Sequence, residues 1–284
     1  MAEPVKTVGV LGGGTMGIGI AYVFAAAGCE TTLIEPSTHQ ATRVTRTLAE
    51  QASRARDKGR LDAGTAASVA DRVHVLRSVD ELPRGLDLIV EAVPERAGLK
   101  RSVLLAAQAR KPGLLASNTS GLSIDELAGD LDDPGRFLGL HFFNPVWSMP
   151  LLEVVRGSAT LPDAVELAVA IAEQIGKQTI VVRDKPGFAT SRLGVAIGLE
   201  AIRMLEDGVA SAADIDRAME LGYRHPMGPL RLTDLVGLDV RLDIARHLAR
   251  SYGPRFEPPR LLVEKVAAGE TGKKAGRGFY EWVP

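Results

Sequence analysis

One cysteine, Cys29, stands in a sequence of 284 residues. A single thiol closes no internal disulfide and builds no cysteine-based metal cluster. It follows Gly28 at the head of an apolar run and reads as a small buried side chain. An excess of charge is missing as well. Lys and Arg number 34 and Asp and Glu 35, a net charge of −1. Without a basic surplus, nucleic acid is not an expected partner. An anionic small ligand has to be met by local clusters instead. No apolar run reaches the roughly 18 residues of a membrane span, so no membrane is expected. The opening residues hold no basic stretch followed by an apolar one, so no secretory leader is read and the expectation is a cytoplasmic protein.

What is present is enough chain for two cores. β-branched and apolar runs predict strands at Val5–Leu11, Glu30–Ile34, Val73–Leu76, Leu86–Ala92, Leu114–Ser117, Phe137–Phe142, Leu152–Val155 and Thr179–Val182. Between them, helical patterns cover Thr15–Ala27, Thr42–Leu61, Leu99–Ala109 and Asp163–Ile175. Strands alternating with helices predict an α/β domain, a mainly parallel sheet with helices on both faces. After Lys185-Pro186-Gly187 the pattern becomes helical and almost strand-free. The expected boundaries are therefore 1–185 for the α/β domain and 186–284 for an all-α C-terminal domain. Leu193–Leu205 is apolar nearly all round, which predicts deep burial or sharing with a partner subunit. The glycine-rich, basic stretch from Gly272 closes on Phe279 and Tyr280, aromatics that argue for a docked tail.

Gly12-Gly13-Gly14-Thr15-Met16-Gly17 fits G-x-G-x-x-G, with a strand before it and a small-residue helix after it. Gly12 allows the tight turn, Gly14 lets a pyrophosphate touch backbone, and Gly17 lets helix and strand approach. Thr15 and Met16 open the helix, whose free N–H groups favour an anion. The pattern predicts a Rossmann-type dinucleotide site. Glu35 ends the second strand, 23 residues after Gly12. A carboxylate there accepts the ribose hydroxyls and repels a 2′-phosphate. Pro36 and Ser37 follow with no arginine to receive that phosphate, so NAD is expected over NADP.

Further motifs come in order: Ser117-Asn118-Thr119-Ser120, His141-Phe142-Phe143-Asn144-Pro145, Glu153 in Leu-Leu-Glu-Val-Val, and Asp184-Lys185-Pro186-Gly187-Phe188. Gly228-Pro229-Leu230, Asp234 to Asp239 and Gly278-Phe279-Tyr280 complete the series. Together, from Val5 to Trp282, they resemble the (S)-3-hydroxyacyl-CoA dehydrogenases, above all the short bacterial 3-hydroxybutyryl-CoA dehydrogenases. The resemblance implies reversible, NAD-dependent oxidation of a short (S)-3-hydroxyacyl-CoA, and a homodimer formed through the C-terminal helices.

The chemistry suits that implication. Removing a hydroxyl proton needs a base, and imidazole exchanges a proton near neutral pH. Among five histidines, His141 alone sits at a strand end bounded by Asn-Pro. Glu153 orients it if the flanking strands bring it back. By resemblance, Ser120 binds the substrate 3-oxygen; otherwise it caps the next turn, although Ser123 fits a capping box better. Glu95, Lys100, Asn118, Asn144 and Lys274 line the NAD site by the same resemblance, with Ala92 and Val93 placed beside them. Lys100 and Lys274 otherwise read as solvated charges. Thr47 and Arg54 match positions that contact coenzyme A; a plain surface arginine is the alternative for Arg54. Ser191 replaces the asparagine the family uses to help hold the substrate oxygen, and Trp147 replaces a smaller residue. Two other readings keep the fold: a dehydrogenase of free 3-hydroxy acids or sugar acids, and an NAD-binding relative without turnover.

Overall fold

The computed structural model describes residues 3–282. Met1, Ala2, Val283 and Pro284 lie outside them, so the leader reading and the outer limits of the two expected domains fall in part beyond the described chain. The chain divides into two compact units, with the break between Asp184 and Lys185.

The first unit holds an eight-stranded sheet. Its strands are β1 (Thr7–Leu11), β2 (Glu30–Ile34), β3 (Val73–Leu76), β4 (Leu88–Glu91), β5 (Leu114–Ser117), β6 (Phe137–Phe142), β7 (Leu151–Arg156) and β8 (Gln178–Arg183). The order is β3-β2-β1-β4-β5-β6-β7-β8. Only the β6–β7 pair is antiparallel, and β7–β8 is parallel again. β4, β5 and β6 are buried at every residue, as expected of strands covered on both faces.

Six helices belong to this unit: α1 (Thr15–Ala26), α2 (Thr38–Asp57), α3 (Ala63–Ser68), α4 (Ala97–Gln108), α5 (Ile124–Ala128) and α6 (Pro162–Gln174). α1 is packed tightly because its small residues leave room. A Cβ on Gly17 would overlap the Gly12 carbonyl oxygen, and one on Gly19 would stand 2.7 Å from Val146. α2 begins four residues before the sequence pattern places it. Ser37 caps it, accepting the Gln40 N–H at 3.3 Å, and Val44, Leu48 and Ala52 form the buried stripe at i, i+4, i+8. It ends before Gly59, which has a positive φ, where the pattern had run on to Leu61. α3 has no buried face and went unread. It owes its start to Asp62, which accepts the Thr65 N–H. α5 starts at Ser123, whose hydroxyl accepts the Glu126 N–H at 3.1 Å, the cap read from the sequence.

The second unit is helical: α7 (Thr190–Glu206), α8 (Ala212–Arg217), α9 (Pro229–Val236), α10 (Leu238–Tyr252) and α11 (Arg260–Ala267). Val195, Leu199 and Ile202 of α7 pack with Ile215, Leu230, Leu242 and Leu248. The rest of α7 is not buried: Leu193 remains 63% exposed. Deep burial, one of the two expectations for this helix, is therefore not found. The glycine-rich tail is docked. Buried Asp234 accepts the Phe279 and Tyr280 N–H groups and the Trp282 indole N–H at 2.8–2.9 Å. The Tyr280 hydroxyl donates to Asp216 at 2.6 Å. Side chains at Gly228 and Gly278 would overlap Asp216 and Asp234. The glycine motifs there are the room these two carboxylates need.

Candidate active site

At the β1–α1 turn Gly12 has φ +108, and a Cβ on it would stand 2.9 Å from the Ala92 carbonyl oxygen. Gly14 caps α1 with no side-chain hydrogen bond, and a Cβ there would meet nothing within 4 Å. Open space lies over the start of a 12-residue helix, where N–H groups lack intrahelical partners. That is the cradle a pyrophosphate fills, so these residues fit the dinucleotide. Glu35 closes the turn. It accepts the Gly13 N–H at 3.0 Å and the Ser37 N–H at 2.9 Å, and the Gln40 amide donates to the Gly13 carbonyl. No arginine follows Glu35 directly in the sequence, but the fold brings one to this turn. Arg77, from the end of β3, donates to the Pro36 carbonyl at 2.7 Å and the Thr38 hydroxyl at 2.8 Å. β2 and β3 pair in parallel, so their ends meet although 41 residues of sequence separate Pro36 from Arg77.

A buried polar chain runs past the ends of β4 and β5. Glu91, unread in the sequence, is wholly buried. It accepts Lys100 Nζ at 2.7 Å, the Ser117 hydroxyl at 2.6 Å and the Val93 N–H at 2.7 Å. Lys100 also donates to the Val93 carbonyl at 3.1 Å and lies 3.2 Å from Glu95. Its reading as a solvated charge is therefore wrong: α4 points it inward to Glu91. Glu95 accepts the Thr119 hydroxyl at 2.5 Å and the Ser120 N–H at 2.9 Å. Burial works to raise the Glu95 pKa, but the Lys100 charge and these bonds outweigh it and hold the carboxyl below the usual range. The Ser120 hydroxyl lies 3.3 Å from Glu95, and Asn118 Oδ1 accepts the Phe142 N–H at 2.9 Å. The signal for Glu91 was a lone acid closing the apolar run Leu-Ile-Val.

His141 and Glu153 meet because β6 and β7 are antiparallel and in register at that pair. His141 Nδ1 lies 2.8 Å from Glu153 Oε2. Glu153 is wholly buried and His141 nearly so. The Phe143 ring packs against the imidazole, with centroids 4.5 Å apart. Between the strands, the loop carries exposed Asn144, in a cis bond to Pro145, and Trp147, edge-on to Tyr22 at 6.0 Å. Lys177, also unread, braces this loop by donating to the Val146 and Met149 carbonyls at 2.5 and 2.6 Å.

Thr47 is half-buried on α2. Arg54 is exposed and 3.8 Å from Glu50. It borders a 720 Å³ cavity with Lys58, Arg60 and the loop residues Trp147 to Pro150; Thr47 does not. Lys274, in the helical unit, pairs with Asp239 at 2.6 Å. Ser191 lies in the first turn of α7. Among the described residues no helix is long and apolar enough to cross a membrane.

Comparison with known proteins gives a consistent result. The family pattern "3-hydroxyacyl-CoA dehydrogenase, NAD binding domain" matches residues 7–185. "3-hydroxyacyl-CoA dehydrogenase, C-terminal domain" matches residues 187–282. A 3-hydroxybutyryl-CoA dehydrogenase of Mycobacterium tuberculosis is 39% identical, over 99% of this chain and 100% of that protein. The crystal structure of FadB2 from M. tuberculosis has a TM-score of 0.94 at 38% identity, over 99% of this chain and 100% of that one. The (S)-3-hydroxybutyryl-CoA dehydrogenase PaaH1 of Ralstonia eutropha gives 0.93 at 37%, with the same coverage.

Proposed function

Since the chain belongs to the 3-hydroxyacyl-CoA dehydrogenase family, we propose the following division of labour among its residues. The protein is an NAD-dependent oxidoreductase acting on 3-hydroxyacyl-CoA through the His141–Glu153 pair. The observation that carries this is the 2.8 Å contact between His141 and Glu153, set by strand register in the nucleotide-binding unit. When bound, NAD supplies the electron acceptor at the carbinol carbon.

The chain's own residues move the proton. Glu153 accepts from His141 Nδ1, which leaves Nε2 free of that proton and directed to the substrate hydroxyl. Nε2 takes the hydroxyl proton as the carbonyl forms. The buried carboxylate then stabilises the imidazolium. Ser120 donates to the substrate 3-oxygen, its loop held by Glu95. Ser191 adds a second hydrogen bond, direct or through a water. In the reverse direction His141 returns the proton.

For the cofactor, Gly12, Gly14, Thr15, Met16 and Gly17 receive the pyrophosphate and Glu35 the ribose. Ala92, Val93, Glu95, Lys100, Asn118, Asn144 and Lys274 take the remaining contacts. Both polar groups of the Val93 backbone already serve Glu91 and Lys100. Its contribution is therefore one of surface, and that of Lys100 is to steady Glu95. Coenzyme A phosphates are met by Thr47 and Arg54. The cations Lys58 and Arg60, which share a cavity with Arg54, support this. The substrate is the (S) isomer of a short acyl chain, as the name of the Ralstonia eutropha relative has it.

The helical unit, 186–284 in this reading, makes a homodimer. Leu193, Ile197, Leu232, Leu235, Val236 and Val240 stay exposed in the single chain, apolar side chains of the kind that a symmetric subunit interface covers. The cytoplasm is the proposed compartment, since the one cysteine is free and buried. The test measures NADH oxidation with acetoacetyl-CoA beside free acetoacetate. Turnover of the CoA ester with little of the free acid is expected. Preference for the free acid, or for NADPH, would overturn the assignment.

A further inference from the structure

The carboxylate of Glu35 is held from two sides. Its Oε2 accepts the Gly13 N–H at 3.0 Å and its Oε1 the Ser37 N–H at 2.9 Å. One donor comes from the turn after β1 and the other from the turn after β2. The side chain lies against Gly13, where an added Cβ would stand 2.9 Å from Oε2. A carboxylate so fixed keeps lone pairs for the ribose hydroxyls, and its charge repels a phosphate.

Arg77 shares this turn without pairing with Glu35. Its Nη1 donates to the Pro36 carbonyl at 2.7 Å and its Nη2 to the Thr38 hydroxyl at 2.8 Å. These acceptors flank Ser37, whose N–H holds Glu35. Both are neutral, so neither bond cancels the guanidinium charge. Arg77, Pro36, Ser37 and Thr38 are all exposed, so a ligand reaches them. Every residue of the arrangement belongs to the nucleotide-binding unit. Two converging N–H groups beside a planar cationic fork are the donors that a phosphate takes.

We infer that Arg77 is the second determinant of cofactor choice. With Glu35 present, the turn admits a free ribose hydroxyl and excludes a 2′-phosphate. With Glu35 removed, the Gly13 and Ser37 N–H groups and the Arg77 guanidinium form a phosphate site that needs no further residue. Selectivity for NAD thus rests on one carboxylate, which fills a place otherwise equipped for the 2′-phosphate of NADP. This step rests on the assignment of Glu35 to the ribose proposed above.

The experiment measures Kd for NADH and NADPH by fluorescence titration. The proteins are wild type, Glu35→Ser, and Glu35→Ser combined with Arg77→Met or Arg77→Lys. Wild type is expected to favour NADH, and Glu35→Ser to tighten NADPH by about tenfold or more. Adding Arg77→Met should weaken NADPH by about tenfold and NADH by less than about threefold. Arg77→Lys should keep part of the gain, as a point charge without the fork. Equal NADPH affinity with and without Arg77 would overturn the inference. An equal loss for both cofactors would do the same, since Arg77 would then only brace the turn. Salt gives a reading that needs no change at Arg77. In Glu35→Ser, NADPH binding should weaken with added salt more steeply than NADH binding. Indistinguishable salt responses overturn the inference even if the Arg77 variants fail to fold. If Glu35→Ser leaves the ratio of the two Kd values as in wild type, the ribose assignment itself is refuted, and this step with it. Turnover of acetoacetyl-CoA with NADH would still support the dehydrogenase.

Discussion

Replacing Glu153 by glutamine keeps shape and removes charge, so it isolates what the carboxylate does. In the protein its Oε2 is 2.8 Å from His141 Nδ1, with one partner wholly and the other nearly buried. When His141 takes up the substrate proton, a cation forms beside that carboxylate. Charge centres about 4 Å apart interact by about 4 kcal/mol at an effective dielectric near 20. The glutamine oxygen still accepts the Nδ1 proton of that cation, a bond to one charged group that contributes about 2 kcal/mol. The difference, roughly 2 kcal/mol, corresponds to about one and a half decades in kcat at 1.36 kcal/mol per decade. The assay follows NADH absorbance with saturating acetoacetyl-CoA. NADH affinity, from fluorescence titration, should be unaltered, because neither residue belongs to the Gly12–Gly17 turn or to Glu35. A kcat within about threefold of wild type, with NADH binding intact, would refute the orienting role and the charge argument together.

Gly17→Ala should abolish NADH binding while leaving the chain folded, since its Cβ would overlap the Gly12 carbonyl oxygen; fluorescence titration against a circular-dichroism control decides. Lys100→Met leaves wholly buried Glu91 without its cation and should destabilise the chain by about 3–5 kcal/mol, read as a shift in urea midpoint. A loss under about 1 kcal/mol would mean that the Glu91–Lys100 pair contributes little. Glu95 has a lowered pKa in the folded protein, so its contribution is complete above the ordinary glutamate range, about 4.3, and disappears as pH falls through its folded value. Melting temperature between pH 3 and 6 should therefore fall less steeply for Glu95→Gln than for wild type.

The elements that read correctly from the sequence are those whose signals are local. The eight strands are short β-branched or apolar runs closed by turn residues, and the dinucleotide turn shows itself because Gly12 and Gly17 meet steric demands while Gly14 leaves open space, all within 6 consecutive residues. His141 and Glu153 were legible as a pair because one antiparallel turn joins their strands. What local signals could not carry is direction and company. Lys100 reads as a surface cation until α4 sets it over Glu91. Arg77 reads as unrelated to the ribose turn until parallel pairing of β2 and β3 brings it to Pro36. α3 has a cap and no apolar face, so periodicity passes over it. The residues around Glu35 and Glu91 are decided by packing, because the energy of a buried charge depends on which distant groups the fold places within about 3–4 Å, and sequence spacing records nothing of that distance.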